Sequence, residues 1–175
     1  MWIQNSLRFL LLILLLVALQ VLILNNINFL GYANPYFYII FIILYPIAYK
    51  RAGLLVLAFL LGFTIDIFEN TGGINAFAAV FMAYIRIYIV KLINFGRSYE
   101  QDSIRLGNFS LLQWVFYVIV MVLLHHVLVE FLEYFHFQNF GHRILRILLS
   151  AGITIVLIFL FMLLFMPRFQ TEYDR

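Results

Sequence analysis

The sequence predicts an all-α integral membrane protein of six transmembrane helices, built as one domain over residues 1–175. Composition is the first reason: 66% of the residues are hydrophobic and 11% are charged. Soluble domains run at about half apolar and about a quarter charged. A chain of this length cannot hide so much apolar surface in one aqueous core, so lipid must cover the rest. The second reason is arrangement, since the apolar residues fall into six runs, at about 7–24, 34–49, 52–69, 74–93, 109–131 and 144–166. The third is the alternation of basic residues between the runs.

The first run is broken only by Arg8 near its start and by Gln20. As a helix it covers about 27 Å, against a hydrocarbon core of about 30 Å. It is too long for the apolar part of a signal peptide. Asn25-Asn26-Ile27-Asn28 also offers no small-residue cleavage site, so an uncleaved span is expected. The second run is short. Tyr36 and Tyr38 mark one end and Tyr45 and Tyr49 the other, as aromatics at the two interfaces would. Pro46 is expected to loosen its last turn.

Lys50-Arg51 alone separates the second run from the third, which predicts a tight antiparallel hairpin. Gly72-Gly73 supplies the turn into the fourth run. The longest polar connection follows at 94–108, a charge mixture of the kind solvated loops carry. The fifth run ends in His125, His126, Glu130 and Glu133. An aromatic-rich connection at 132–142 is expected to lie on the membrane surface. The sixth run is expected to stop at Pro167.

Orientation follows from the basic residues. With a cytoplasmic N-terminus, the inner segments hold Arg8, Lys50, Arg51, Lys91, Arg97, Arg105, Arg168 and Arg175, and the outer segments only Arg143 and Arg146. The positive-inside rule therefore places both termini in the cytoplasm. Asp66, Glu69, Glu130 and Glu133 then fall near the outer face.

Two groups of residues are candidate sites. Ala58, Gly62 and Asp66 stand at i, i+4 and i+8, on one helical face. Small residues there admit a close neighbour, and Ala76, Ala79 and Ala83 of the fourth run offer a matching face. Asp66 has two open readings: an acid in an apolar span marks a site, or it caps a helix end beside the turn. Arg86 lies about 18 Å along the fourth helix, too deep to meet Asp66 directly. It is expected to snorkel to the inner headgroups or to meet a polar group of another span.

The second group is His126, Glu130 and Glu133, at i, i+4 and i+7. One helical stripe of an imidazole and two carboxylates has ligand chemistry for a divalent ion. Three ligands from one helix rarely close a site and no HExxH pattern is present, so a polar, partner-facing or interfacial helix end is expected and no metal. The absence of cysteine excludes disulfides, thiolate metal sites and cysteine nucleophiles. No P-loop, nucleophile elbow or dinucleotide fingerprint occurs, and exposed basic residues are too few for a nucleic-acid surface. No catalytic residue and no cofactor are expected.

One ordered set of residues carries a resemblance. Asn34-Pro35, Leu44-Tyr45, Lys50-Arg51, Leu60-Leu61-Gly62-Phe63 with Asp66, Gly72-Gly73 with Ala76, and then Tyr84 and Arg86 resemble the pattern of the rod shape-determining protein MreD family. The match covers about Asn34 to Arg86, and the remainder fits by hydropathy and span count. The resemblance implies a non-enzymatic component of the bacterial cell-elongation machinery in the cytoplasmic membrane. The implied partners are an MreC-like periplasmic protein, RodA with its transpeptidase, and MreB filaments inside. It also implies the six-helix fold of the substrate-binding subunits of energy-coupling-factor transporters.

That fold supplies an alternative, a vitamin-binding subunit. Those subunits resemble one another in small residues at i, i+4 on the first helix, whereas here residues 9–19 contain only Ala18. A membrane enzyme using His126 and Glu130 as acid and base ranks last, because nothing in the sequence positions a nucleophile or a substrate.

Overall fold

The computed structural model describes residues 2–26, 33–47, 50–94, 109–133 and 140–173, with side chains from residue 10 and, in the last segment, at 141–164. Its helices are α1 (Trp2–Leu22), α2 (Ile40–Leu44), α3 (Arg51–Glu69), α4 (Ile74–Ile93), α5 (Leu111–Glu133) and α6 (Phe140–Tyr173). Two 3-10 turns, Leu24–Asn26 and Phe37–Ile39, follow α1 and precede α2. Among the described residues, α3, α4, α5 and the Gly141–Leu164 part of α6 are long and apolar enough to cross a membrane. The chain is thus an all-helical protein of membrane type. Its surface agrees: Leu11, Leu14 and Leu15 of α1 and Leu148, Leu160 and Leu163 of α6 all face outward. Such a continuous apolar exterior suits lipid and not water.

The predicted second span is built differently from a continuous helix. Among its described residues only Phe37–Leu44 is helical, first as the 3-10 turn and then as α2. Eight residues rise about 14 Å, roughly half of a hydrocarbon core. The flanks are non-helical for a local reason. Tyr45 precedes Pro46 and takes φ −56°, ψ 132°, since proline pushes its predecessor out of the α region. Tyr36, Tyr38 and Tyr45 do not face outward: all three are buried, and their rings pack against neighbouring aromatic and histidine rings. Every residue from Tyr36 to Ile43 is buried, so this short element forms the centre of the bundle. Tyr49 lies outside the described residues.

Several other boundaries move by a few residues, some outward and some, as at the end of α1 and the start of α5, inward. α1 begins at Trp2 and α5 ends at Glu133. α6 starts at Phe140 and continues past residue 167, so the expected stop there does not end the helix. Most of the predicted 94–108 and 132–142 connections lies outside the described residues.

The α3–α4 hairpin is the tightest unit. Asn70, Gly72 and Gly73 all have positive φ, at 56°, 66° and 101°. Glycine enters that region without a Cβ penalty, and asparagine is among the few other residues that do so readily. The turn brings α4 back along the small-residue face of α3. Ala58, Ala76, Ala79 and Ala83 are all buried there. Gly62 touches the first turn of α4: a Cβ on it would stand 2.5 Å from the Asn75 carbonyl oxygen and 2.7 Å from Ala76 Cα. Only glycine fits that crossing.

Candidate functional site

Polar side chains inside the bundle form two groups, one at each end of the central segment. At the first end the organising group is the Asp66 carboxylate. The first N–H groups of any helix lack intrahelical partners. In α4 those groups are closed from α3, not from α4's own N-cap, Gly73, which has no side chain to offer. Asp66 Oδ1 accepts the Asn75 N–H at 2.9 Å and Oδ2 accepts the Ala76 N–H at 2.8 Å. The Thr71 hydroxyl and the Asn75 side-chain amide donate to Oδ1 as well. A carboxylate at a helix N-terminus is also favoured by the helix dipole. Asp66 is therefore a cap supplied by one helix to the next, and the close approach at Gly62 makes its reach sufficient.

Asn75 carries the network inward. Its amide nitrogen donates to Asp66, to Glu69 at 2.9 Å and to Thr71 at 3.1 Å. Its oxygen is left as acceptor for the Tyr38 hydroxyl, at 3.3 Å. Tyr38 has one proton, and Asn75 takes it. The 2.8 Å contact of Tyr38 with His125 Nε2 then requires the imidazole to donate. That fixes the neutral tautomer and leaves His125 Nδ1 as a buried acceptor without a partner among the described residues. The rings of Tyr36 and Tyr38 pack against His125, with centroids at 5.2 and 5.4 Å.

The start of the central segment is held by α1 and α6. Gln20 of α1 accepts the Phe37 and Tyr38 N–H groups through Oε1 and donates to the Pro35 carbonyl at 2.8 Å. Thr154 of α6 accepts the Tyr36 N–H at 3.1 Å, and the Ser150 hydroxyl accepts the Asn34 N–H at 3.0 Å. Thr154 gives its own proton to the Ser150 carbonyl, so His126 Nε2, at 3.1 Å, must donate to Thr154. Beside this lies a cavity of about 10 Å³ lined by Asn34, Tyr36, His126, Glu130, Glu133 and Arg146 among others, room for about one water-sized molecule. Arg146 of α6 pairs with Glu130 at 3.7 Å and Glu133 at 3.9 Å.

At the other end, Arg86 closes the segment. Its guanidinium donates to the Ile43 carbonyl at 3.3 Å and to the Tyr45 carbonyl, and its Nε donates to the Tyr117 hydroxyl at 2.8 Å. Tyr117 in turn donates to the Ile43 carbonyl at 3.2 Å. A cation at a helix C-terminus meets both orphan carbonyls and the negative end of the dipole. α2 is too short to hide its own ends. Buried backbone of this kind is tolerated at membrane depth where protein groups satisfy it.

The geometry sorts the sequence candidates. Gly62 and Asp66 meet the start of α4 with Ala58 on the same buried face, while Arg86 has separate partners about three turns along α4. His126 lies on the cavity wall but bonds to Thr154, and Glu130 and Glu133 meet Arg146. Among the described residues no three histidine, aspartate or glutamate side chains converge as metal ligands. The sequence reading assigned no role to Gln20, Asn75, Tyr117, Ser150 or Thr154, and gave Tyr36 and Tyr38 only an interfacial one. Gln20 was the signal available, a lone amide in an apolar run whose burial demands a partner. What the arrangement does chemically is pair buried backbone and side-chain groups of the central segment and the five helices around it. Comparison with protein-family models, with curated proteins and with solved structures gave no match.

Proposed function

We propose that this chain is a non-enzymatic membrane scaffold of the bacterial cell-elongation complex, serving cell shape and lateral peptidoglycan synthesis through an MreC-like periplasmic partner. RodA, its transpeptidase and MreB filaments are the further partners this assignment brings. The topology that goes with it has six spans and both termini in the cytoplasm, the central segment counting as a broken second span. One observation carries the proposal. The MreD-like residues between Asn34 and Arg86 are the ones that hold the hairpin and the central segment in place. Gly62 admits α4, Asp66 caps it, Gly72 and Gly73 turn the chain, Asn34 and Pro35 bond to α6 and α1, and Arg86 closes the Tyr45 end. Buried pattern members that serve rigidity suit a protein that works by presenting a fixed surface.

The cavity beside Tyr36 and His126 measures about 10 Å³, room for about one water, and is not itself a vitamin pocket. Depletion in a rod-shaped host tests the assignment. Cells are expected to round up while vitamin uptake is unaffected. Unchanged shape together with lost uptake of one vitamin would overturn it.

A further inference from the structure

The end of the hairpin away from Asp66 carries a basic and aromatic cluster that the scaffold assignment does not use. Arg51 opens α3 and lies against α4. Its guanidinium carbon stands 4.6 Å from the Tyr84 ring centroid and 5.4 Å from that of Tyr88, and its Nη2 donates to the Tyr84 carbonyl at 2.8 Å. Tyr84, Tyr88 and Lys91 follow at i, i+4 and i+7, so they share one face of α4. All three are exposed, as are Lys50 and Arg51. The register explains the meeting. Gly62 sits opposite Asn75 and Ala76, so in an antiparallel pair Arg51 falls level with residues near Arg86 to Tyr88.

Charge at this end is one-sided. Lys50, Arg51 and Lys91 make no salt bridge with an acid among the described residues. The acids of the hairpin, Asp66 and Glu69, stand at the far end of α3, roughly 22 and 27 Å from Arg51 at 1.5 Å per residue. The positive-inside distribution puts this end at the cytoplasmic leaflet, where anionic lipids concentrate. Two tyrosine rings hold the guanidinium at the surface in a fixed direction, so little side-chain freedom remains to be lost on binding. Arginine donors arranged in this way match phosphate oxygens, and the lysines add point charges. The exposed residues further along the hairpin, Phe59, Phe63 and Phe77, offer an apolar track for acyl chains.

The geometry points to a binding site for the phosphate of an anionic phospholipid, formed by Lys50, Arg51 and Lys91 around Tyr84 and Tyr88. The test uses detergent-solubilised full-length protein and two tail-labelled lipids with identical chains, a phosphatidylglycerol and a phosphatidylcholine, titrated by fluorescence anisotropy. Phosphatidylglycerol should bind at least about ten-fold more tightly. Each cation removed, as Arg51→Gln or Lys91→Gln, should weaken it about five-fold, from the usual contribution of a basic residue near an anionic surface. Phosphatidylcholine should be unaffected by either change. Raising salt should weaken phosphatidylglycerol alone, a measurement on the unaltered chain that holds even if a variant misfolds. Equal binding of the two lipids, or salt-independent preference, would overturn the site and leave this face to acyl chains or to a protein helix.

Discussion

Replacing Gly62 with alanine adds a single methyl group, and the structure fixes where it goes. The new Cβ would stand 2.5 Å from the Asn75 carbonyl oxygen, 2.7 Å from Ala76 Cα and 2.8 Å from Ala76 N. Ordinary contacts at such a carbon begin near 3.4 Å, so α3 and α4 must part by nearly an ångström. All three neighbours are backbone atoms, and none can rotate aside. Overpacking of this kind costs about 1–3 kcal/mol. The same displacement stretches the Asp66 bonds to Asn75 and Ala76, now 2.9 and 2.8 Å, beyond useful length. Loss of a helix cap adds about 1 kcal/mol. Opposing both, alanine is favoured over glycine in a helix interior by about 1 kcal/mol. The net expectation is destabilisation by about 1–3 kcal/mol, read as a lower midpoint of unfolding in detergent. Gly152→Ala in α6 is the control, because nothing lies within 4 Å of its added methyl group. That variant should match or exceed the original stability. Equal or higher stability for Gly62→Ala would refute the close crossing.

Arg86→Leu strands the Ile43 and Tyr45 carbonyls and the Tyr117 hydroxyl, and should cost about 3–5 kcal/mol in the same unfolding assay. Arg86→Lys, with charge but no fork, should recover part of that, and full recovery would mean that only charge matters. Asp66→Asn sets a side-chain NH₂ against one of the two α4 N–H groups and should cost about 1–3 kcal/mol while the protein still inserts; we also expect it to impair partner recovery. Because the chain lacks cysteine, Ser103→Cys reports topology cleanly, and labelling is expected only after the inner face is opened. Labelling from outside would reverse the orientation.

The membrane class and the long helices were legible because apolar runs of spanning length leave few other solutions. The α3–α4 hairpin was legible too, since Gly72-Gly73 and the Ala58–Gly62 spacing are local signals. The central segment was not. Its run between Asn34 and Tyr49 has the hydropathy of a span, and hydropathy does not distinguish a continuous helix from a buried broken one. What marks the break is the pair of prolines at 35 and 46 together with polar groups far away in sequence: Gln20, Arg86, Ser150 and Thr154. Those partners are 15 to 118 residues from the groups they bind, so no window along the chain contains them. Asp66 illustrates the same limit. Its type and place suggested either a cap or a site, and only the position of α4's first turn decides which N–H groups it serves. His125 was visible as one of a pair, but its tautomer depends on Tyr38 and Asn75, which come from two other elements.

The most direct measurement of the scaffold assignment is affinity purification of the tagged chain in mild detergent, followed by identification of the proteins and small molecules that come with it. An MreC-like membrane-anchored protein should be recovered with the unaltered chain, together with components of the RodA complex. Recovery of a stoichiometric vitamin with no such protein would contradict the assignment.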